Sequence, residues 1–538
     1  MQRRFVMAGV IAVVMTATFL PGSGLGSTAA VGSGPQSTPA GLASAIDARL
    51  GAAPIGSVPA ATEHPELGVD VAVSADGTTA LVGAPGVGSG KGAVYVYHVA
   101  SAGSWSSSST PVATLTQPLG HRLQSLGGWG LALSADGTTA FVGTPNDRAV
   151  YVFHASSEDA WASTSTPTAT LTAANSDVFG WTLAASADGT TLAVGDPTGG
   201  PLFVYHVASA DAWASTSTPT ATLSDNDASL AGWAVAISGD GTTVLTSDVH
   251  GSTGGAAVYH VSSASAWTSS STPTAILTNS SPGDHEFLGA AVALSGDGTT
   301  AFVGDSAVNE SAGAVDVFHV AGEDLWVSSS TPAATLTNGA GATNDYLGGP
   351  LAASTDGKTV VAGASGAHSE RGADYVFRAS GEDAWASSAA PTAELSDSAR
   401  AHDDVPVIQY VRGDSDSGNP LAIAADGATV LLGAPWFNWR SGRADVFHVA
   451  DAGSWLTSST PTAALTNSAL PKPRCVVPNL TGDYVSFAKG ALKDANCRLG
   501  KVTRVHAAKT NRLKVVSQSP VPGRNLLPGS KVNVSVGK

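Results

Sequence analysis

The chain has 538 residues, of which only 13% are charged and 6% aromatic, and it contains 62 glycines. It is too long for one ordinary compact domain, and its composition favours short strands and turns over long helices. The net charge of −16 is unevenly distributed along the chain. Residues 472–538 contain 13 Lys/Arg and 2 Asp/Glu, a net charge of +11, whereas residues 1–471 have a net charge of −27. This asymmetry predicts two modules with different partners.

Residues 1–30 are predicted to be a secretory signal peptide. The basic start MQRR precedes an apolar run from Phe5 to Leu20, and small residues follow up to Ala30, where we expect cleavage. The apolar run is marginal for a membrane span, which needs about 20 residues, so an uncleaved anchor is the alternative. Residues 31–65 are predicted to be a low-complexity linker, and the exported chain is expected to be secreted, extracellular or associated with the cell wall.

The next 400 residues contain a repeat with three landmarks. The stretch VSADGTTALVG, residues 73–83, recurs with small changes, and a tryptophan follows each aspartate 25 to 29 residues later. A proline lies six residues beyond each tryptophan. A regular recurrence of this length indicates a repeat architecture. The seven turn aspartates, which we predict to be structural, are Asp76, Asp136, Asp188, Asp240, Asp297, Asp356 and Asp426.

Each copy is predicted to form four β-strands. In the first copy, residues 68–74 alternate large and small side chains, Asp76-Gly77 is a strong hairpin signal, and residues 78–83, 93–99 and 112–116 supply three further strands. Seven copies of four strands without helical patterns predict a seven-bladed β-propeller with antiparallel blades, in which ring closure hides most sheet edges. A solenoid is the competing architecture, although its repeats are usually shorter.

The repeat resembles a known family at these residues. The sequence LGVDVAVSADGTTALVGAP (67–85), the dipeptide Phe179-Gly180 and the tripeptide at 433–435 are similar to the FG-GAP repeat of integrin α-chain propellers and bacterial surface proteins. The resemblance covers residues 66–468 and implies a seven-bladed propeller used for binding or adhesion. Calcium-binding members carry several aspartates in the turn, whereas each copy here has one, and Ca²⁺ takes six to eight oxygen ligands. We therefore expect no metal at these turns and no cofactor.

The C-terminal module differs in composition from the repeats. In an exported protein, Cys475 and Cys497 are expected to form a disulfide. An amphipathic helix is predicted from Val485, Phe487, Ala488, Ala491, Leu492 and Ala495, with Thr481 or Asp483 as its cap, and strands are predicted at KVTRV, KVVSQS and KVNVSV.

Residues 474–538, which follow a short linker at 469–473, closely resemble a PASTA domain. The resemblance is carried by Val477-Pro478-Asn479 with Gly482, and by the Ser-Gln-Ser-Pro-x-Pro-Gly motif at 517–523. It implies a small α+β domain that associates with peptidoglycan. The charge of +11 over residues 472–538 independently suits an anionic wall polymer. We expect no nucleic-acid partner because no recognition helix or aromatic platform accompanies the basic residues.

Two groups of aromatic residues are further candidate sites. The loop with Trp436, Phe437, Trp439 and Arg440 is predicted to bind a ligand, or alternatively to fold over its blade. Three tryptophans at the starts of first strands could form an aromatic patch for a sugar at the channel mouth, but they share the large-residue face, which favours packing between blades. They are Trp129, Trp181 and Trp233.

The loops before the first strands contain acidic clusters, at 224–227, 284–286 and 402–404, and an Arg-Gly-Asp tripeptide at 412–414. We interpret the clusters as solvated turns and the tripeptide as a chance occurrence.

The sequence contains no nucleophile elbow, HExxH motif or phosphate-binding loop. We therefore predict a non-enzymatic, cell-wall-associated binding or adhesion protein whose propeller loops take an unknown protein or glycan. An exported glycan-acting enzyme and a passive structural surface protein are the alternatives.

Overall fold

A computed structural model describes residues 64–117, 126–174, 176–197, 201–224, 232–248, 254–281, 287–339, 343–398, 420–470, 474–506 and 512–538. The repeats form seven separate four-stranded antiparallel sheets, and the order within each sheet follows the chain. The fold is therefore a seven-bladed β-propeller with the predicted strand count.

The strands of the seven blades have the following bounds. Blade 1 contains β1 (Val71–Val73), β2 (Thr79–Ala84), β3 (Ala93–His98) and β4 (Ala113–Leu115); blade 2 contains β5 (Leu131–Leu133), β6 (Thr139–Thr144), β7 (Ala149–His154) and β8 (Ala169–Leu171); blade 3 contains β9 (Thr182–Ala185), β10 (Thr191–Gly195), β11 (Leu202–His206) and β12 (Ala221–Leu223). Blade 4 contains β13 (Val235–Ile237), β14 (Thr243–Ser247), β15 (Ala256–His260) and β16 (Ala275–Leu277); blade 5 contains β17 (Leu288–Leu294), β18 (Thr300–Asp305), β19 (Ala314–His319) and β20 (Ala334–Leu336). Blade 6 contains β21 (Leu351–Ala353), β22 (Thr359–Ala364), β23 (Ala373–Arg378) and β24 (Ala393–Leu395); blade 7 contains β25 (Leu421–Ile423), β26 (Thr429–Gly433), β27 (Ala444–His448) and β28 (Ala463–Leu465).

Short helical turns lie in the connections. Four follow second strands, α1 (Val87–Gly90), α2 (Val308–Ser311), α3 (Ala367–Glu370) and α4 (Phe437–Arg440). A 3₁₀ turn precedes the tryptophan of each repeat, at Ala102–Ser104, Glu158–Ala160, Ala210–Ala212, Ala264–Ala266, Glu323–Leu325, Glu382–Ala384 and Ala452–Ser454, and another lies at Pro145–Asp147.

The outer strand of every blade pairs with the next blade. Leu115 of β4 forms a parallel bridge with Thr164, which follows the tryptophan of blade 2, and the same bridge recurs at each junction up to Leu465 with Ser108 of blade 1. An exposed strand edge is a template for unwanted pairing, and these bridges cover part of each outer edge. The last bridge joins the final blade to the first and closes the ring.

A second circle of backbone hydrogen bonds surrounds the axis. The residue directly before the Asp of each turn donates its N–H to the carbonyl oxygen of its counterpart in the following blade, as Ala75 does to Ala135 at 2.8 Å. The final bond runs from Ala425 back to Ala75 at 2.9 Å. The seven members are Ala75, Ala135, Ala187, Gly239, Gly296, Thr355 and Ala425. This circle, called the axial ring below, lies on the face of the Asp-Gly turns.

The C-terminal residues form a small α+β domain. Helix α5 (Val485–Asp494) packs on a three-stranded sheet of β30 (Arg498–Val505), β33 (Lys531–Gly537) and β31 (Val515–Ser519), and β29 (Cys475–Val476) pairs with β32 (Asn525–Leu526). The core contains both cysteines, Ala488 and Leu492. Cys475 and Cys497 form a disulfide, as predicted.

Two details of the predicted helix are wrong. Phe487 is 70% exposed, because each helical residue turns by about 100° and position 487 lies at the margin of the face centred on Ala488. The residue preceding the helix is Tyr484, whose side chain makes no capping hydrogen bond, so neither Thr481 nor Asp483 caps it.

None of the helices in the described ranges has the length and apolar character needed to cross a membrane.

Candidate functional sites

The aspartate of the repeated turn is a structural acceptor. Asp76 Oδ1 accepts hydrogen bonds from Ser74 Oγ at 2.7 Å, Thr78 N at 3.0 Å and Thr78 Oγ1 at 2.8 Å. Burial raises the pKa of the Asp76 carboxyl, but the bonds from Ser74 and Thr78 outweigh it, so the pKa lies below 3.8. The same direction holds for Asp136, Asp188, Asp240, Asp297 and Asp356. In the seventh turn Ala424 and Ala428 replace the two hydroxyl residues of the first turn, and Asp426 Oδ1 accepts a hydrogen bond from Ala428 N at 2.8 Å.

Glutamates at three blade junctions extend this network. Glu158 of blade 2 accepts from Thr78 Oγ1 at 2.9 Å and from Thr79 Oγ1 at 2.7 Å of blade 1, and Glu323 and Glu382 contact the blades before them in a similar way. These glutamates are not among the sites predicted from the sequence, although the sequence contains a signal for them. In copies 2, 5 and 6 a Glu-Asp pair lies directly ahead of the tryptophan turn.

The histidines that end third strands contact the second strand of their own blade. His98 Nδ1 lies 2.9 Å from Thr79 Oγ1, and the contact recurs at His154, His206, His260, His319 and His448. In blade 6, where the sequence has Arg378, its guanidinium donates to Thr359 Oγ1 at 2.8 Å. Within the described ranges no group of three His, Cys, Asp or Glu side chains is arranged to hold a metal ion.

A cavity of about 340 Å³ occupies the centre of the propeller. The first strands of all seven blades line it, through residues 70–73, 129–133, 181–185, 233–237, 290–294, 349–353 and 420–423. In each blade the last lining residue lies two positions before the member of the axial ring, so the ring lies just beyond the cavity on the face of the Asp-Gly turns. The opposite end, where the first strands begin, lies toward the connections between second and third strands and between blades.

Three tryptophans form one wall of this cavity. The ring centroids of Trp129 and Trp181 are 4.1 Å apart with planes inclined by 41°, and those of Trp181 and Trp233 are 5.9 Å apart with planes inclined by 39°. The indole N–H groups of Trp129 and Trp181 are buried without a hydrogen-bond partner among the described residues. The tryptophans therefore pack across blades 2 to 4, as predicted from their face, and line the channel as well.

The predicted binding loop lies where the ring closes. The Arg440 guanidinium stacks on the Trp436 ring at 3.9 Å and pairs with Glu66 at 3.2 Å, while Arg440 O accepts from Glu66 N at 2.9 Å. Lys493 of α5 lies 5.9 Å from the centroid of the same ring. These contacts engage Trp436 and Arg440 within the protein, and ligand binding by the loop stays a prediction. The side chain of Trp439 lies outside the described part.

A buried arginine beside this loop escaped the sequence analysis. Arg443 Nε lies 2.8 Å from Asp445 Oδ1, its Nη2 contacts Asp397 of blade 6, and its guanidinium stacks on Phe437 at 4.0 Å. Only 9% of the Arg443 side chain is exposed. Position 443 corresponds to Ala93 of blade 1, so the signal was an arginine where copies 1, 2, 5 and 6 have alanine.

The C-terminal domain exposes basic and aromatic side chains. Lys501 and Arg504 of the edge strand β30 are exposed, and Tyr484 and Phe487 at the start of α5 are 47% and 70% exposed. Lys514 Nζ lies 5.5 Å from the Tyr484 ring centroid.

Several sequence predictions fall outside the described residues. These are the signal peptide, almost all of the linker at 31–65, most or all of each acidic cluster, and the Arg-Gly-Asp tripeptide at 412–414.

The architecture defines the protein as a seven-bladed β-propeller followed by a small α+β domain. The family model described as PASTA domain matches residues 476–538, as the sequence resemblance predicted. PASTA domains are binding modules, and this one indicates a cell-wall-related role. No curated protein matches the chain.

The chain is also similar to several solved structures. They include Kuenenia stuttgartiensis hydrazine synthase (13% identity, TM-score 0.43, covering 73% of this chain and 98% of that chain). RRP9 WD40 repeats are 12% identical, with a TM-score of 0.43, and cover 68% of this chain and 86% of that chain. Kluyvelomyces marxianus Hsv2 is 9% identical, with a TM-score of 0.41, and the match covers 72% of this chain and 95% of that chain.

Proposed function

We propose that the protein is an exported, cell-wall-associated binding protein. Residues 474–538 hold peptidoglycan or another anionic wall polymer, and the propeller is a rigid scaffold for a second ligand. The observation that carries the proposal is the PASTA match over residues 476–538, within the basic stretch 472–538 whose net charge is +11. Basic side chains on one module attract polymers that carry carboxylates and phosphates.

The edge strand β30 is the proposed contact with the wall polymer. It exposes Lys501, Val502, Thr503 and Arg504 in succession, and as an edge strand it leaves backbone groups unpaired. Exposed Phe487 adds an apolar surface. The N-terminal signal-like segment and the disulfide support export, because disulfides persist mainly in oxidising compartments.

The propeller is proposed as a binding module of FG-GAP type. The resemblance of its repeats to FG-GAP sequences implies binding or adhesion, and the closed ring gives the rigidity on which variable loops carry recognition. Glycan hydrolysis usually needs two carboxyl groups about 5–10 Å apart. Among the described residues that line the cavity, Asp70 is the only carboxylate, and its oxygens accept Val71 N and Leu131 N, each at 2.8 Å. We therefore favour binding over hydrolysis.

Co-sedimentation with purified peptidoglycan sacculi tests the wall contact. The mature full-length chain is compared with the double variant Lys501→Glu and Arg504→Glu, which reverses two exposed charges on β30. We expect the wild-type chain to pellet at moderate salt and the variant to lose at least tenfold in affinity, because each substituted side chain now repels the polymer.

The matched control reverses the same number of charges on the propeller, with Lys91→Glu and Arg371→Glu, both at exposed positions. This control should pellet like the wild type. A wild-type chain that stays in the supernatant, or a β30 variant that pellets as well as the control, contradicts the proposed wall contact.

A further inference from the structure

The central cavity is asymmetric, and the asymmetry is set by one position in each repeat. The three tryptophans lie five residues before the serine of the turn, and blades 5 and 6 have Ala290 and Gly349 at that position. Bulky indoles therefore form the wall in blades 2 to 4, and the small residues opposite leave space. A volume of about 340 Å³ is near the lower end of the range for small-molecule sites.

The charge of the lining selects a neutral ligand. No Lys or Arg is among the described residues that line the cavity, so an anion has no partner there. The single carboxylate, Asp70, already accepts two backbone N–H groups. Aromatic cages hold cations against ring faces, but the centroids of Trp129 and Trp181 are only 4.1 Å apart, which leaves no room for a cation between them.

The polar groups of the cavity suit a ligand rich in hydroxyls. The first strand is the edge strand nearest the axis in all seven sheets, so one row of its backbone N–H and C=O groups has no partner within its own sheet. The buried N–H groups of Trp129 and Trp181 have no acceptor among the described residues. Both nitrogens are buried by their neighbours, so the backbone edges of the first strands are the polar groups that a ligand in the cavity can reach.

The axial ring limits how such a ligand enters. Seven backbone hydrogen bonds of 2.7 to 3.0 Å encircle the axis just beyond the lining. A ligand therefore reaches the tryptophans from the opposite face, and a polymer end fits this geometry better than a polymer threaded through the channel.

From these features we infer that the propeller cavity binds the terminal ring of a neutral glycan against Trp129, Trp181 and Trp233. Apolar C–H faces of the sugar contact the indole rings, and its hydroxyls bond backbone groups along the axial edges of the first strands. The inference rests on the proposed role of the propeller as a ligand-binding module, and it names the class of ligand.

Binding is measured on the mature full-length protein with an array of neutral oligosaccharides that includes triacetylchitotriose, cellotriose and maltotriose. Tryptophan fluorescence and calorimetry then give the affinity of each glycan that binds. Trp181→Ala removes the middle of the wall, and we expect at least a tenfold loss of affinity. Ala290→Trp keeps all three tryptophans and fills the space opposite, so it should block binding while the thermal midpoint of the propeller stays close to that of the wild type.

The outcomes separate this inference from the proposed wall contact. An array without any neutral glycan bound, binding that survives both variants, or binding of choline in place of sugars overturns the inference. The same variants are tested against sacculi with the β30 charge reversal as reference. If only the charge reversal abolishes pelleting and no glycan binds the cavity, the wall contact is supported and the cavity inference fails. If glycans bind the cavity but the chain does not pellet with sacculi, the cavity inference is supported and the wall contact fails.

Discussion

The indole N–H of Trp105 donates to the carbonyl oxygen of Gly77 at 2.7 Å. Both residues belong to the same blade, and the bond joins the turn between the third and fourth strands to the Asp-Gly turn. It recurs in every blade at 2.8 or 2.9 Å, from Trp161, Trp213, Trp267, Trp326, Trp385 and Trp455 to the glycine of their own turn. This bond explains why the tryptophan and the turn recur together in the sequence.

Replacing one of these tryptophans should destabilise the propeller measurably. Trp326→Phe keeps an aromatic ring but leaves Gly298 O without its buried donor, which costs about 1–3 kcal/mol. The urea unfolding midpoint reports the loss. The neighbouring Leu325→Ala is the control, because Leu325 is 53% exposed and its truncation should change the midpoint little. Equal effects of the two substitutions would refute the structural role of the bond.

The turn aspartates predict acid sensitivity. Their pKa is lowered in the folded state, so their contribution to stability is complete above the ordinary value of 3.8 and is lost as the pH falls through the lowered pKa. Asp188→Asn should lower stability at neutral pH and reduce the fall in midpoint below pH 3.8. Urea midpoints from pH 7 to pH 2 test this, with Asp324→Asn as an exposed control for the loss of one charge. A wild-type midpoint that does not fall in acid would contradict the prediction.

Glu382 predicts the opposite behaviour. Burial raises the pKa of its carboxyl and the nearby Asp297 charge raises it further, so ionised Glu382 destabilises the fold above that raised pKa, and protonation relieves the cost as the pH falls. Glu382→Gln should therefore raise the thermal midpoint at pH 7, and its advantage should shrink in acid. Asp383→Asn, which removes a charge from the adjacent exposed residue, serves as the control. A lowered midpoint for Glu382→Gln at pH 7 would show that the carboxylate stabilises the junction.

The ion pairs of Arg443 predict a strong effect at the junction of blades 6 and 7. Arg443→Leu leaves the carboxylates of Asp397 and Asp445 buried beside an apolar side chain, and breaking a buried pair costs about 3–5 kcal/mol. Arg440→Leu, at a position where 28% of the side chain is exposed, should cost much less. Urea unfolding of both variants distinguishes them, and comparable losses would contradict the buried network.

The disulfide predicts an effect confined to the C-terminal domain. Cys475 and Cys497 are 22 residues apart, and a loop of that length contributes about 3 kcal/mol in the chain-entropy model. Changing both cysteines to alanine should lower the calorimetric transition of this domain and leave that of the propeller in place. The reduced wild type should match the double variant. A shift of the propeller transition instead would contradict the assignment.

The fold could be predicted from the sequence because its signals are local and repeated. Asp76-Gly77, Trp105 and Pro111 recur in fixed order. In the first copy the second to fourth strands agree with the prediction to within one residue at each end, and the first strand is shorter, Val71–Val73. The Arg443 network could not be predicted, because its partners lie in two blades and pairing depends on ring closure. Contact between Trp129 and Trp181 likewise needs the angle between blades, which sequence spacing does not contain.

The axial ring has a sense of rotation. Every N–H points to the next blade, so the seven dipoles follow one another head to tail around the axis, without a first or last member. The link from Ala425 to Ala75 is equivalent to the other six, although those residues are 350 positions apart in the chain. Deleting one repeat would require all remaining links to close a smaller circle, whereas moving the chain ends to another blade junction would leave every link intact. The geometry of the circle thus depends on the number of blades but not on which blade contains the chain ends.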